Sequence, residues 1–475
     1  MAGEDLALLH ELARRAYREK RTSDCLSICH RILNDTFDDG KAFLMASRCF
    51  ARTERWWLAH VCARRAVEID PNNEHFQVGL GRTWAYYDWG FNQAEKCFLR
   101  ALEIRPGFSD ALINMLVLHV NKAEPGTAIA YAEKCAWNIE AEEDKDDIAF
   151  NRGLAELMLW HWQDGWKHYC ASHRHRVKKE WAYGDEPRWD GSPTRCLAIY
   201  GEQGLGDEIM FASAIPDTLP LCEELVIDCD TRLVGLFKRS FPKAHVYGTR
   251  HETECPWLLK HEVTARAGGA DVCKVFRKSV DAFPGRPYLV ADPERCIQWR
   301  ALLASFGDRP KIGIAWKGGI QITFRGRRSV TLDQLLPVLS QNAVFVNLHY
   351  EDVSDEIAEF TERTGVTIHD WQRALLTRDY DNTAALVAEL DLVISVTTTV
   401  VNLAGALGKT VWCLVPTRPT WREGLEGRFL PWYGNCVEMF RQETGGDWAL
   451  PIGLVADKLC GFLQRREEDT WAFAS

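Results

Sequence analysis

The sequence predicts an α-helical repeat unit followed by two α/β lobes, and three observations predict it. The segments His30-Arg-Ile-Leu-Asn-Asp35, Arg65-Ala-Val-Glu-Ile-Asp70 and Arg100-Ala-Leu-Glu-Ile-Arg105 recur at a spacing of 35 residues, each at the end of a helical pattern. From Leu197 onward, short apolar runs of strand length alternate with helical patterns. That alternation starts afresh after Pro310. A chain of 475 residues has room for these two or three domains, each with its own core.

The helical part comes first. Pro71 and Pro106 follow the second and third copies, and Gln93-Ala-Glu-Lys-Cys-Phe-Leu-Arg-Ala-Leu-Glu-Ile104 has helical spacing throughout. A looser fourth copy carries Ala132-Glu-Lys-Cys135, echoing Ala94-Glu-Lys-Cys97. Two helices and a closing proline in a period of about 34 residues resemble tetratricopeptide repeats. Such a unit buries its apolar face only by stacking on neighbours, which makes a solenoid. A last helical pair, Ala149 to His175, is rich in tryptophan and is expected to join the solenoid, over residues 1–182, to the α/β lobes. The solenoid either grips a peptide or partner protein in its groove or serves as a structural, dimerising appendage. The linker Tyr183-Gly-Asp-Glu-Pro-Arg-Trp-Asp-Gly-Ser-Pro193 ends it.

The strands expected next are Leu197–Tyr200, Glu224–Asp228, Lys311–Trp316, Ala343–Leu348, Leu392–Ser395 and Val411–Val415, with helices at Glu208–Leu219, Leu332–Leu339 and Thr383–Leu390. Continuous apolar strands separated by helices indicate buried parallel sheets. The lobes divide as 186–305 and 306–452, and an amphipathic helix within 453–475 is expected to return to the first lobe. Ligands of such folds bind at the carboxyl ends of the strands.

Composition narrows the partners. A net charge of −10 argues against general affinity for nucleic acid or anionic membrane. The basic clusters Arg325-Gly-Arg-Arg328 and His173-Arg-His-Arg-Val-Lys-Lys179 are local. The 16 cysteines include no C-x-x-C pair and read as reduced, mostly buried thiols. Residues 1–20 read as a charged amphipathic helix rather than a secretory leader, and no apolar run approaches the roughly 20 residues of a membrane helix. The expectation is a cytoplasmic protein.

The loop Gly201-Glu-Gln-Gly-Leu-Gly-Asp-Glu208 carries the chemistry. A phosphate-binding P-loop needs Lys followed by Ser or Thr after the glycines, where Asp207-Glu208 stand instead. The dinucleotide pattern G-x-G-x-x-G is also absent, because the glycines run Gly201-x-x-Gly204-x-Gly206. An aspartate at a helix N-terminus is stabilised as an anion. Asp207 is therefore either an ordinary helix cap or a general base open to a cleft.

Gly204-Leu-Gly-Asp-Glu-Ile209 resembles the G-x-G-D-x-[IL] element of heptosyltransferase-like glycosyltransferases of family 9. With Trp189-Asp-Gly191 before it, the string to Pro216 is similar to bacterial and phage proteins that fuse tetratricopeptide repeats to such a transferase. The resemblance covers about residues 60 to 450. It implies a GT-B fold of two Rossmann-like lobes and a metal-independent, inverting glycosyltransferase. The co-substrate would be a nucleotide-diphosphate sugar, with no further cofactor and no metal ligands. Asp207 would be the catalytic base, with Gly204 and Gly206 letting sugar and acceptor approach the backbone.

The donor diphosphate is expected at Asp391-Leu-Val-Ile-Ser-Val-Thr-Thr-Thr-Val-Val-Asn-Leu-Ala-Gly-Ala-Leu-Gly408, where a strand turns into a helix. The hydroxyls of Thr398 and Thr399 and the free amides near Val400 would hold it. Relatives read D-T-S-V-A-H-L-A-G-A-L-G there, and this chain has Thr397 for the aspartate and Asn402 for the histidine. Asn402 keeps a hydrogen bond but no charge. Trp316, Lys317 and Arg328 are expected beside the phosphates, and His349 beside the base. Asp228-Cys-Asp230 imitates a metal-binding D-x-D but closes a strand in the acceptor lobe and reads as a cap. The alternative, favoured by the two departures, is a non-catalytic repeat scaffold with a degenerate transferase domain. The acceptor would be a protein or peptide presented by the repeats, and the solenoid also offers a surface for homodimerisation.

Overall fold

The computed structural model describes residues 3–136, 141–172, 183–319, 323–371 and 380–474. The basic stretch His173–Lys179 lies outside them. The chain forms two compact units, Met1–Ala155 and Glu156–Ser475.

The first unit is a succession of helix pairs, among them Gly40–Arg52 with Trp56–Ile69, Glu74–Ala85 with Phe91–Ile104, and Ser109–Asn121 with Pro125–Ala136. The repeat seen in the sequence is a repeat of contacts. Ala59 and Ala94, and Ala66 and Ala101, are equivalent positions, and all four are fully buried where the helices touch. Only a methyl group fits at so close an approach. The helix starts repeat as well. The Asp39 carboxylate accepts the Ala42 N–H at 2.8 Å, and the Asn73 side chain accepts from Phe76 at 3.3 Å, each closing a helix N-terminus. Arg65 reaches Asp38 and Arg100 reaches Asn72, both at 2.7 Å, tying one repeat to the loop of the last.

The second unit contains two parallel sheets. The first has the order β3-β2-β1-β4, with β1 Thr194–Tyr200, β2 Cys222–Asp228, β3 Ala244–Tyr247 and β4 Ala265–Gly268. The second has the order β10-β9-β8-β5-β6-β7, with β5 Lys311–Ala315, β6 Val344–Asn347, β7 Ile368–His369, β8 Leu392–Val396, β9 Val411–Val415 and β10 Val437–Arg441. All six expected strands form. β3, β4, β7 and β10 are additional to them: they are short, or carry His, Arg and Glu in place of a continuous apolar run. The helix expected over Glu208–Leu219 is instead Leu205–Phe211, a 3₁₀ turn, and Ile215–Thr218. Pro216 has no N–H to continue the ladder.

Three boundaries differ from expectation. The tryptophan helix Trp162–Ala171 belongs to the α/β unit rather than to a helical domain ending at 182. Trp162 and Trp166 are buried against Phe211, Phe283, Trp421 and Trp432, and the Trp166 indole donates to the Arg277 carbonyl at 2.8 Å. The helix Pro293–Ala304, expected in the first lobe, packs on Tyr380–Ala388 of the second, where the Trp299 indole donates to Asn382 at 3.0 Å. The described side chains of the C-terminal helix Ala449–Ala474 pack on the second lobe, where a return to the first was expected. Ile452, Val455 and Leu459 enter the core of the second sheet, and Gln341 donates to the Ala456 carbonyl at 2.8 Å.

All 16 cysteines are free thiols, and most are buried. Among the described residues no helix is long and apolar enough to cross a membrane.

Candidate functional site

The glycine loop follows the carboxyl end of β1 and treats its two acids differently. Glu208 turns inward. It is buried, pairs with the buried Arg250 guanidinium, and accepts the Asp230 N–H at 2.9 Å, which ties the loop to the end of β2. Gly201 makes room for it: a β-carbon there would lie 2.4 Å from the Glu208 carboxyl carbon. Asp207 turns the other way. Its Oδ2 accepts the Gly204 N–H at 3.1 Å, so it caps its own helix. Its Oδ1 accepts Arg422 Nε at 2.6 Å, and Arg422 comes from the second lobe, 215 residues away.

Burial lowers the proton affinity of Arg422, and the charges of Asp207 and Glu423 outweigh that, holding it above the ordinary arginine value. The guanidinium lies 4.8 Å from the centre of the Trp421 ring. Nothing local in Thr417-Arg-Pro-Thr-Trp-Arg422 marks this arginine as a site residue, and sequence reasoning missed it.

The other face of the loop meets the helix Thr399–Ala406. Asn402 donates to the Gly206 carbonyl at 3.1 Å and accepts the Tyr433 hydroxyl at 3.0 Å. A β-carbon on Gly206 would stand 2.9 Å from Asn402 Nδ2 and 3.1 Å from Thr399 Oγ1. Gly206 is thus a point of contact between the lobes, and Asn402 holds it there. Val400, in the same first turn, is buried. Thr398 precedes the helix without capping it; its hydroxyl lies 3.2 Å from that of Ser395. The first turn is left without a side-chain cap.

Gly318 marks a second convergence. A β-carbon there would lie 2.7 Å from the Arg328 carbonyl and 3.2 Å from that of Thr397, so the turn after β5, the arginine stretch and the turn after β8 meet. Arg328 donates to Thr323 at 2.6 Å, while its Nε has no partner and no carboxylate pairs with it among the described residues. Burial lowers its proton affinity; Glu423 partly offsets this, and Arg422 and Arg327 add to it. The Thr397 hydroxyl is buried and unpartnered among the described residues.

The remaining expected residues are arranged less openly. Trp316 is fully buried in the core of the second sheet, its indole donating to Glu356 at 3.1 Å, so it supports the site from beneath and presents no face to a ligand. Lys317 is ion-paired with the other oxygen of Glu356. His349 is 2% exposed, and neither ring nitrogen has a hydrogen-bond partner among the described residues. Its Nε2 lies 3.5 Å from Glu351, which Arg325 holds at 2.5 Å. Burial depresses the His349 proton affinity, and Glu351 only partly opposes it. In the D-x-D imitation, Asp228 accepts from Thr249 N at 2.7 Å and from Tyr183 at 3.0 Å, while Asp230 caps a turn and holds Arg232 at 2.8 Å. Both are structural anchors.

No protein-family model matches the chain. Protein FlbA of Caulobacter vibrioides is 33% identical over 391 residues, which are 77% of this chain and 63% of that protein. The chain therefore spans less than two thirds of that relative's length. Among solved structures, a thermophilic TPR protein of Thermus thermophilus is 14% identical, covering 37% of this chain and 93% of its own, at a TM-score of 0.33. The pilF protein of Pseudomonas aeruginosa is 15% identical over 36% of this chain and 77% of its own, at 0.32.

Proposed function

We propose that the second unit is a GT-B-type, inverting glycosyltransferase that uses a nucleotide-diphosphate sugar, and that the repeats present a protein or peptide acceptor to it. The observation that carries this reading is the convergence at Gly318. A half-buried arginine with no carboxylate partner among the described residues, an unpartnered buried hydroxyl and a helix start with no side-chain cap come together at the carboxyl ends of β5 and β8. Positive charge and free donors grouped at such a place suit a diphosphate. Arg328, Thr397 and the amides at Thr398 to Val400 would stabilise the leaving group, with Lys317 released from Glu356 to join them. Asp207, on the facing lobe, would take the proton of the attacking acceptor hydroxyl. A carboxylate has about four lone-pair sites, so its contacts with the Gly204 N–H and with Nε and Nη2 of Arg422 leave one for that proton. Arg422 would keep Asp207 oriented.

A second reading has specific support. Both Asp207 oxygens and both ends of the Asn402 amide are engaged within the protein, which suits a scaffold whose transferase domain no longer turns over.

The test is a thermal-shift screen of nucleoside diphosphates and nucleotide sugars on the wild type and on Arg328→Ala. A ligand at 100 times its dissociation constant adds about 2.7 kcal/mol. A shift with one nucleotide, lost in the variant, followed by turnover that Asp207→Asn abolishes, is the expected result. A shift without turnover selects the scaffold, and no shift at millimolar ligand rejects nucleotide binding.

A further inference from the structure

At the opposite end of the first sheet, three side chains form a constellation that the transfer chemistry does not use. Glu224 lies near the amino end of β2, His245 is the second residue of β3, and His261 stands in the segment leading to β4. One ligand atom from each lies within 4.8 Å of the others. His261 Nδ1 is 2.5 Å and His245 Nε2 is 3.6 Å from the same oxygen, Glu224 Oε1. We infer that Glu224, His245 and His261 bind one divalent transition-metal ion of the zinc class.

The donor set is two imidazoles and one carboxylate, which zinc takes at about 2.0–2.2 Å. Tetrahedral bonds of that length separate donor atoms by about 3.4 Å, close to the spacing of the three side chains already in place, so the site forms by local side-chain adjustment. The outer contacts also suit a metal. His261 Nε2 lies 2.8 Å from the Tyr247 hydroxyl. With Nδ1 on the ion, Nε2 carries the proton and donates it to Tyr247, the arrangement that orients metal-bound histidines. The His245 side chain is 56% exposed, so the fourth position opens to water.

The strand register explains why these residues meet. Glu224, Val226 and Asp228 point to one face of β2, and His245 and Tyr247 lie opposite Val226 and Asp228. The ion would staple β2 and β3 to the segment before β4. That segment includes Trp257, whose indole donates to Thr249 at 3.0 Å, and Thr249 in turn holds Asp228. The site is about 13 Å along β2 from the end that faces the glycine loop, so its role is structural and leaves the proposed transfer without a metal step.

The experiment uses the full chain, stripped with a chelator under reducing conditions and titrated with Co(II), then Zn(II). The expected result is one Co(II) per chain with visible d–d bands and no sulfur-to-metal charge-transfer band, displaced by Zn(II). His245→Ala should lower the affinity at least tenfold. Because this side chain is exposed, folding of the variant is preserved and is checked by circular dichroism. Tyr247→Phe should lower the affinity about 10–100-fold. His251→Ala, an exposed histidine beside Asp230, should leave it unchanged. Failure to bind stoichiometrically, a thiolate charge-transfer band, or equal effects of His245→Ala and His251→Ala would overturn the inference and leave Glu224 and His261 as a hydrogen-bonded pair.

Discussion

Replacing Arg250 by alanine tests why the glycine loop carries two acids. Glu208 and Arg250 are 4% and 9% exposed and directly paired, and the carboxylates of Glu202 and Asp207 also act on Arg250. Removing one member of a buried pair costs about 3–5 kcal/mol, because the other charge stays buried without a partner. Here Glu208 keeps the Asp230 amide, which places Arg250→Ala near the lower end, about 3 kcal/mol. That is more than a hundredfold in the folded-to-unfolded ratio. In the double variant Arg250→Ala/Glu208→Gln, a neutral amide oxygen still accepts from Asp230 and no charge is stranded at position 208. About 2 kcal/mol should therefore return, the usual order for a buried uncompensated group. Urea unfolding followed by tryptophan fluorescence and by far-ultraviolet circular dichroism measures both. The two probes are compared because two compact units need not unfold together. A single variant within 1 kcal/mol of wild type, or a double variant no more stable than the single, would refute the reasoning.

Asp207→Asn should keep the fold and any nucleotide-dependent thermal shift while lowering turnover about 10²–10⁴-fold, the usual contribution of a positioned general base; unchanged turnover in a transfer assay would remove Asp207 from the chemistry. Gly405→Ala drives a β-carbon to 2.5 Å from the buried Tyr433 ring and should cost about 1–3 kcal/mol, read as a lower urea midpoint. Gly206→Ala meets chiefly the movable ends of Asn402 and Thr399 and should cost less, about 1 kcal/mol, while breaking the Asn402 contact between lobes. For His349, burial keeps the folded-state proton affinity below the ordinary value of about 6.5. Above that pH both states are neutral; below it the unfolded chain takes up the proton first, so stability falls as pH drops. His349→Asn should flatten that fall, seen as a smaller difference between urea midpoints at pH 5 and pH 7.5 than in wild type.

Much of this molecule is set by local spacing. The 35-residue period is legible because Ala59, Ala94, Ala66 and Ala101 each need a small side chain at the same point of a repeating contact. The parallel strands are legible because those buried on both faces are apolar at successive positions, as in Val411-Trp-Cys-Leu-Val415. The glycine loop and the threonine turn announce themselves by composition, although what requires Gly206, its contact with Asn402 and Thr399 of the other lobe, is not legible there. The edge strand Ala244-His-Val-Tyr247 and the strand Ala265-Arg-Ala-Gly268 do not, because what makes them strands is their pairing with β2 and β1.

Tertiary structure alone decided which acid faces which way: Asp207 and Glu208 are adjacent in sequence, yet one meets Arg422 from the other lobe and the other meets Arg250 inside its own. It also decided that Trp166 belongs to the α/β unit, that the last helix covers the second sheet, and that Glu224, His245 and His261 share one point in space. Side-chain spacing reports the period of a helix or strand within a few residues. A contact between distant residues depends on how whole faces pack, and no single segment carries that information.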